Sequence, residues 1–315
     1  MSSIEIPCEF CYENFSLELI DSHQASCYET QEKLLKKLSK TDIDKVNIDK
    51  IDETALIQKY IEPDLTETQQ KAIAYVFKKS KIFSHSIELM LLGRFLEMDY
   101  TKEDFKIVTK FIKTVPIIIH FHPNKMMNYM IEDTHYRNLF ETKTSSGSTS
   151  TTARTTWENV LFNKLYNDSV GTDRVKYGVI NINNDPTGSS AATSYGDSYI
   201  ELKEEVKNRT SFTYGDSSQQ DIHICSFKGF YNILFYMPKQ CLKQIIDSAL
   251  NSIQGKDVVP IKGMSYIESQ YHGPIRLKHD VNCLVINPKY KSDKDMIKKL
   301  NMFTHTHNVP WRYMN

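Results

Sequence analysis

The stretch Val115-Pro116-Ile117-Ile118-Ile119-His120-Phe121-His122-Pro123 decides the fold class. Its β-branched run suits a buried strand, with Pro116 near its start and Pro123 just past its end. Before it, apolar residues recur at helical intervals: Ile73, Val76 and Phe77, then Ile87, Met90, Leu91 and Phe95, then Phe105, Val108, Phe111 and Ile112. Leu65-Thr66-Glu67-Thr68-Gln69 opens this stretch, and about three helices are expected as far as Lys113. After it, strands are expected over Lys176 to Ile182, Ser198 to Leu202, Phe230 to Tyr236, Met264 to Tyr271 and Asn282 to Ile286, with helices over Thr156 to Tyr166 and Lys239 to Ile253. Such a mixture is an α+β domain.

The chain has 315 residues, 40% hydrophobic and 25% charged, enough for a small module plus one large core. Basic and acidic residues number 39 each, so the formal charge is zero and nothing global favours nucleic acid or an anionic membrane. The longest apolar runs are strand-sized and no secretory signal is visible in Met1 to Pro7, which predicts a protein of the reducing cytoplasm. Three of the six cysteines crowd the N-terminus with a histidine. Cys225, Cys241 and Cys283 are scattered and read as small hydrophobes.

The N-terminal spacing is Cys8-x2-Cys11-x11-His23-x3-Cys27. Two thiolates in a tight turn, followed by two ligands four apart on a helix, make a closed tetrahedral zinc site of ββα type. Ser16 would cap that helix, and Phe10, Phe15, Leu19 and Ile20 supply a core too small to fold unaided. Structural zinc contributes roughly 10–16 kcal/mol in finger peptides. All four positions are filled by protein, so the metal is structural. Residues 1–30 are read as this finger, 31–63 as a charged linker, and 64–315 as a helical segment followed by a mixed α/β domain.

The finger carries Glu9, Glu13, Glu18, Asp21 and Glu29 but no Lys or Arg, which argues against phosphate contacts. It resembles the small ubiquitin-binding zinc fingers over about twenty residues. The Asp that several of those fingers carry between His and the last Cys would fall at Ala25. The resemblance implies ubiquitin, or a ubiquitinated protein, as partner.

In the large domain there is no phosphate loop, no dinucleotide fingerprint, no H-E-x-x-H and no G-x-S-x-G. Polar clusters remain, each with a plain structural reading. His120 and His122 alternate about Phe121 and would face one side as core or surface histidines. Asp185 before Pro186 is turn chemistry, Glu268 and Gln270 are the wet side of an edge strand, and Thr142 to Thr156 is a Ser/Thr-rich insert.

Taken in order, however, Phe121-His122-Pro123, Tyr136-Arg137, Phe140-Glu141-Thr142, Ser145-Ser146-Gly147, Trp157-Glu158, Lys176-Tyr177-Gly178, Arg209-Thr210-Ser211-Phe212, Glu268-Ser269-Gln270-Tyr271-His272-Gly273 and Asp280-Val281 resemble one domain family. It is widespread in bacteria and lower eukaryotes, long described as of unknown function. Its layout is similar to ADP-ribosyltransferases, including the bacterial effector type that modifies ubiquitin on threonine. That resemblance implies an ADP-ribosyltransferase-like fold and NAD as co-substrate. Glu268 becomes the carboxylate that stabilises the oxocarbenium-like state, with Asp185 or Glu141 sharing its work. His122 and Arg137 compete to orient NAD, Thr142, Ser145 and Gly147 wrap the nicotinamide, and Tyr177 and Gln270 complete the site. The order Glu268 then Gln270 inverts the transferase pattern. The other readings are a ubiquitin-binding adaptor without catalysis, and a metal-dependent hydrolase using the histidines. For the finger, the sequence predicts one zinc per chain by plasma mass spectrometry and its loss in Cys8→Ser; a metal-free wild-type chain would contradict it.

Overall fold

The computed structural model describes Glu5–Pro7, Asn14–Ser16, Leu19, Ser22 and residues 65–143, 149–218, 223–256 and 266–315, with the side chains of residues 5–7, 14–16 and 81–86 excepted. Near the N-terminus, β1 (Glu5–Pro7) and β2 (Asn14–Ser16) pair antiparallel, and Cys8 and Cys11 fall between them in sequence. The four proposed zinc ligands Cys8, Cys11, His23 and Cys27 lie outside the described residues, as does the linker over 31–63.

The helical region is two helices rather than three. Thr66 and Gln69 form a capping box at the head of α1 (Glu67–Glu97), which runs unbroken through the apolar positions from Ile73 to Phe95. A second capping box, Thr101 with Asp104, opens α2 (Lys102–Thr114). No Pro lies within α1 to divide it, and its glycine, Gly93, sits inside the last turns without ending it.

Next come β3 (Ile117–Phe121), α3 (Pro123–Glu132), α4 (Leu139–Thr142), α5 (Thr151–Leu161), β4 (Lys176–Ile180), β5 (Ser198–Leu202), β6 (Thr210–Tyr214) and β7 (Ile224–Ser226). The chain finishes with α6 (Tyr231–Phe235), α7 (Lys239–Ile253), β8 (Ile267–Tyr271), α8 (Leu277–Asp280), β9 (Val281–Ile286), α9 (Lys294–His307) and β10 (Trp311–Tyr313). Strands β3 to β10 form one eight-stranded mixed sheet, ordered β10-β9-β5-β3-β4-β8-β6-β7. Only the β9–β10 pair is parallel.

Directly opposed residues share a face, so the registers sort the sheet into two sides. One side presents Ile117, Ile119, Phe121, Ile180, Ile200, Phe212, Ile267, Tyr271, Leu284 and Ile286 to the main core, with Leu91 and Phe95 of α1, Val108 and Ile112 of α2, Leu242 and Ile245 of α7, and Leu300 and Phe303 of α9. The other side carries two smaller apolar clusters, one around Leu161, Phe162, Tyr166 and Val175, the other around Ile118, Val179, Tyr199 and Val285. Between them lie polar residues of β4, β8 and β6.

Phe230 to Tyr236 is helical rather than extended. Its Ile233, Leu234 and Phe235 are all buried, so no period distinguishes helix from strand in so short a run. The Ser/Thr-rich insert is partly structured: Ser150 caps α5, and Thr155 and Thr156 bond back to the carbonyls of Thr151 and Thr152. This helix starts and ends five residues before the expected Thr156 to Tyr166.

Gly178 lets β8 sit close to β4. A Cβ there would strike the Ile118 carbonyl oxygen and stand 2.5 Å from the Tyr271 hydroxyl, which itself donates to that carbonyl at 3.2 Å. Gly178→Ala is therefore expected to lower stability by about 1–3 kcal/mol in denaturant unfolding; an unchanged midpoint would mean that this packing is loose.

Candidate functional site

The polar row is built by three neighbouring strands. Val179 of β4 opposes Glu268 and Tyr177 opposes Gln270; on the far side Thr213 and Ser211 of β6 oppose the same two residues. Glu268, Gln270, Tyr177, Ser211 and Thr213 thus share one face. They are not the wet side of an edge strand: β8 is flanked on both edges, and Glu268 is 5% exposed and Gln270 0%.

Each side chain in the row is bonded to the next. Gln270 Nε2 donates to Glu268 Oε1 at 2.9 Å and to Thr213 Oγ1 at 3.0 Å, and Ser211 Oγ donates to Gln270 Oε1 at 2.8 Å. His272, just past β8, meets Ser211 Oγ through Nε2 at 3.1 Å and the Tyr166 hydroxyl through Nδ1 at 2.7 Å. Burial, with the Arg209 guanidinium nearby, pushes the His272 imidazole down to about 3, so it is neutral.

Helix α5 lays a charged patch over this row. Arg154 stacks on the Tyr177 ring at 4.3 Å and on Trp157 at 5.2 Å. Glu158, fully buried, accepts from Arg174 at 2.7 Å and from the Tyr177 hydroxyl at 3.1 Å. Beyond β6, Asp216 accepts from the Tyr266 hydroxyl at 2.9 Å, and Tyr266 meets the Tyr195 hydroxyl at 3.0 Å. Burial raises the Glu268 carboxyl to about 7; Asp216 adds to the rise, while Ser217, Gln270 and Arg154 oppose it. A carboxyl poised near neutrality serves proton transfer or stabilises a developing cation.

Of the residues singled out in the sequence, the row gathers Glu268, Gln270 and Tyr177. Asp185 is a turn residue: its Oδ1 accepts from the Thr187 amide at 2.8 Å and hydroxyl at 2.6 Å. Glu141 spends both carboxylate oxygens on His135 Nε2 and the Asn138 amide, closing the capping box of α4, and Thr142 Oγ1 bonds back to the Asn138 carbonyl. Arg137 pairs with Asp133 at 2.6 Å and stacks on Tyr129. His122 leaves the strand as the N-cap residue of α3, so it does not pair with His120 on one face. Pro123 at the first helical position sets that boundary. Ser145 and Gly147 lie outside the described residues.

The histidine that shares the polar face is His120, since Ile118 opposes Val179. Its Nδ1 donates to the Gly196 carbonyl at 2.9 Å and its Nε2 accepts from the Ser189 amide at 3.2 Å. Both nitrogens are therefore engaged by the loop before β5, which removes the support for a metal-bound His120. Among the described residues no group of three His, Cys, Asp or Glu is placed to hold a metal ion. Arg154, Ser211 and His272 were missed as site residues. Arg154 hid in the Ser/Thr-rich segment, and Ser211 and His272 stand 59 and 106 residues from the partners named above.

The raised Glu268 carboxyl fixes a stability profile. Between 4.5 and about 7 the folded chain keeps a proton that the unfolded chain has released, so stability falls as pH rises through that window and levels off above it. Glu268→Gln, which mimics the protonated acid, is expected to flatten this fall and to exceed wild type at pH 8 by roughly 3 kcal/mol. Chemical denaturation at pH 5 and pH 8 checks it; a variant weaker than wild type at pH 8 would mean that Glu268 is held ionised.

Residues 116–315 match the model of a family described as a protein of unknown function, DUF3626. No curated protein matches the chain. Since the matched span takes in every strand of the eight-stranded sheet, the chain belongs to the DUF3626 family.

Proposed function

We propose that the sheet domain is a NAD-dependent mono-ADP-ribosyltransferase, and that the N-terminal finger, holding zinc through Cys8, Cys11, His23 and Cys27, recruits ubiquitin or a ubiquitinated protein to it. The observation that carries the reading is the placement of Glu268. A late-strand carboxyl shares one face with Tyr177 on the adjacent strand and with His120 on the early strand beyond it. The transferase layout asks for an early-strand histidine or arginine and a late-strand glutamate; His120 stands at the first of these positions, and its ring, bonded to the Gly196 carbonyl and the Ser189 amide, meets NAD only when that loop moves.

In the reaction the bond between nicotinamide and ribose C1' breaks, and nicotinamide leaves with the electron pair. Ionised Glu268, hydrogen-bonded to the ribose 2'-hydroxyl, stabilises the cationic sugar, and an acceptor nucleophile then attacks C1'. The acceptor's proton passes to solvent or to a carboxylate. A low-dielectric site strengthens that stabilisation. At 5% exposure Glu268 meets NAD only when the side chains over it, Arg154 and Tyr266 among them, move aside. The finger acts by raising the local concentration of its target through the charged linker.

Incubation of the full chain with NAD and ubiquitin, read by mass spectrometry, is expected to show ubiquitin heavier by one ADP-ribose. Nicotinamide release is expected to fall at least about a hundredfold in Glu268→Gln. A wild-type chain that consumes no NAD would favour the non-enzymatic adaptor, a reading supported by the hydrogen bonds that link Tyr166, His272, Ser211, Gln270 and Thr213 to one another in the buried row.

A further inference from the structure

The hydrogen bonds of the polar row can be given a direction, one link at a time. The Thr213 hydroxyl donates to the Gly215 carbonyl at 3.2 Å, so its oxygen offers only lone pairs to its other neighbour. Glu268 Oε1 likewise offers lone pairs when ionised. Two acceptors on one side of the Gln270 amide require its NH2 there and its carbonyl toward Ser211. Ser211 must then spend its proton on Gln270 Oε1, which leaves its lone pairs to His272. A neutral imidazole can serve that bond only with Nε2 protonated, and its bare Nδ1 then accepts from the Tyr166 hydroxyl. Tyr166, His272, Ser211 and Gln270 are each no more than 1% exposed, so water does not offer competing partners.

We infer that Tyr166, His272 and Ser211 are positioning residues: they form a one-way hydrogen-bond chain that holds the Gln270 amide with its NH2 toward Glu268, fixing which carboxylate oxygen is engaged and which faces substrate. The direction also rules out a serine hydrolase at this spot, because His272 donates to Ser211 and cannot take its proton in this tautomer. Only the identity of the substrate rests on the transferase reading; the orientation belongs to the resting protein. The chain supplies what a single buried donor lacks, since an unanchored amide is free to turn its carbonyl to the carboxyl and so favour the protonated acid. The charged and titratable groups that face Glu268 are Arg154 from α5, Tyr177 from β4, Asp216 after β6 and Tyr266 before β8, while Tyr271 acts on it from the opposite face of β8. Those near His272 are Arg209 and Tyr166.

The test is NMR of the full chain. Nitrogen-15 spectra should show His272 neutral and protonated on Nε2 from pH 5 to 8. Carbon-13 titration of the Glu268 carboxyl, assigned by its loss in E268Q, should give a midpoint that rises about one pH unit in Ser211→Ala and returns in Ser211→Thr. Tyr166→Phe, a change at the far end of the chain, should move it the same way by less. A His272 protonated on Nδ1, or midpoints unmoved in folded Ser211→Ala or Tyr166→Phe, would overturn the inference. Absent nicotinamide release with these shifts intact would instead defeat the transferase reading alone.

Discussion

The insertion of β8 between β4 and β6 is the constraint on which the rest of the domain depends. Because side chains alternate along a strand, that one register sends Ile267, Ser269 and Tyr271 to the helix-covered face and Glu268 and Gln270 to the other. A slip of one residue would drive a carboxyl into the main core and expel Tyr271 from it. Tyr271 guards the register by reaching across Gly178 to the Ile118 carbonyl on β3, so three strands are tied by one side chain and one missing Cβ. The same register that builds the core therefore places the polar row.

Burying a carboxyl beside an arginine patch is costly, and the surroundings show how the cost is contained. Glu158 takes the nearby guanidinium of Arg174 and the Tyr177 hydroxyl, Asp280 takes Arg209 and Arg276, and Glu268 is left with an amide as its hydrogen-bond donor and a proton affinity near neutrality. Several buried charges of the domain are paired with opposite charges, as expected where unpaired ions are expensive, while Lys176 is held by the Thr172 and Arg174 carbonyls and Asp185 by Thr187. Glu268 has no ion-pair partner of its own among the described residues and keeps a carboxyl near neutrality, a combination that concentrates at sites under functional demand.

Much of the architecture was legible in the residues. Ser198–Leu202 and Lys239–Ile253 form the strand and helix expected of them, because each has a clear period and clear ends. Phe230 to Tyr236 suits strand and helix alike, because a short run buried on all sides has no period to read. Thr210–Tyr214 was passed over as a strand because its Ser and Thr face a polar interior rather than solvent. The site was legible in part for a similar reason. Glu268, Gln270 and Tyr177 stand out in short motifs, whereas Arg154, Ser211 and His272 acquire meaning only through cross-strand pairing and helix packing. Asp185, Glu141 and Arg137 looked chemical because turn, cap and ion-pair residues use the same polar side chains.

We propose that the polar face of β4, β8 and β6, beneath α5, receives the nicotinamide ribose of NAD. A crystal structure with a non-cleavable NAD analogue tests it most directly. The expected result is the analogue's ribose 2'-hydroxyl within hydrogen-bond distance of Glu268, with Arg154 and Tyr266 displaced from their resting positions. An analogue bound elsewhere on the chain, with Glu268 still enclosed, would contradict it.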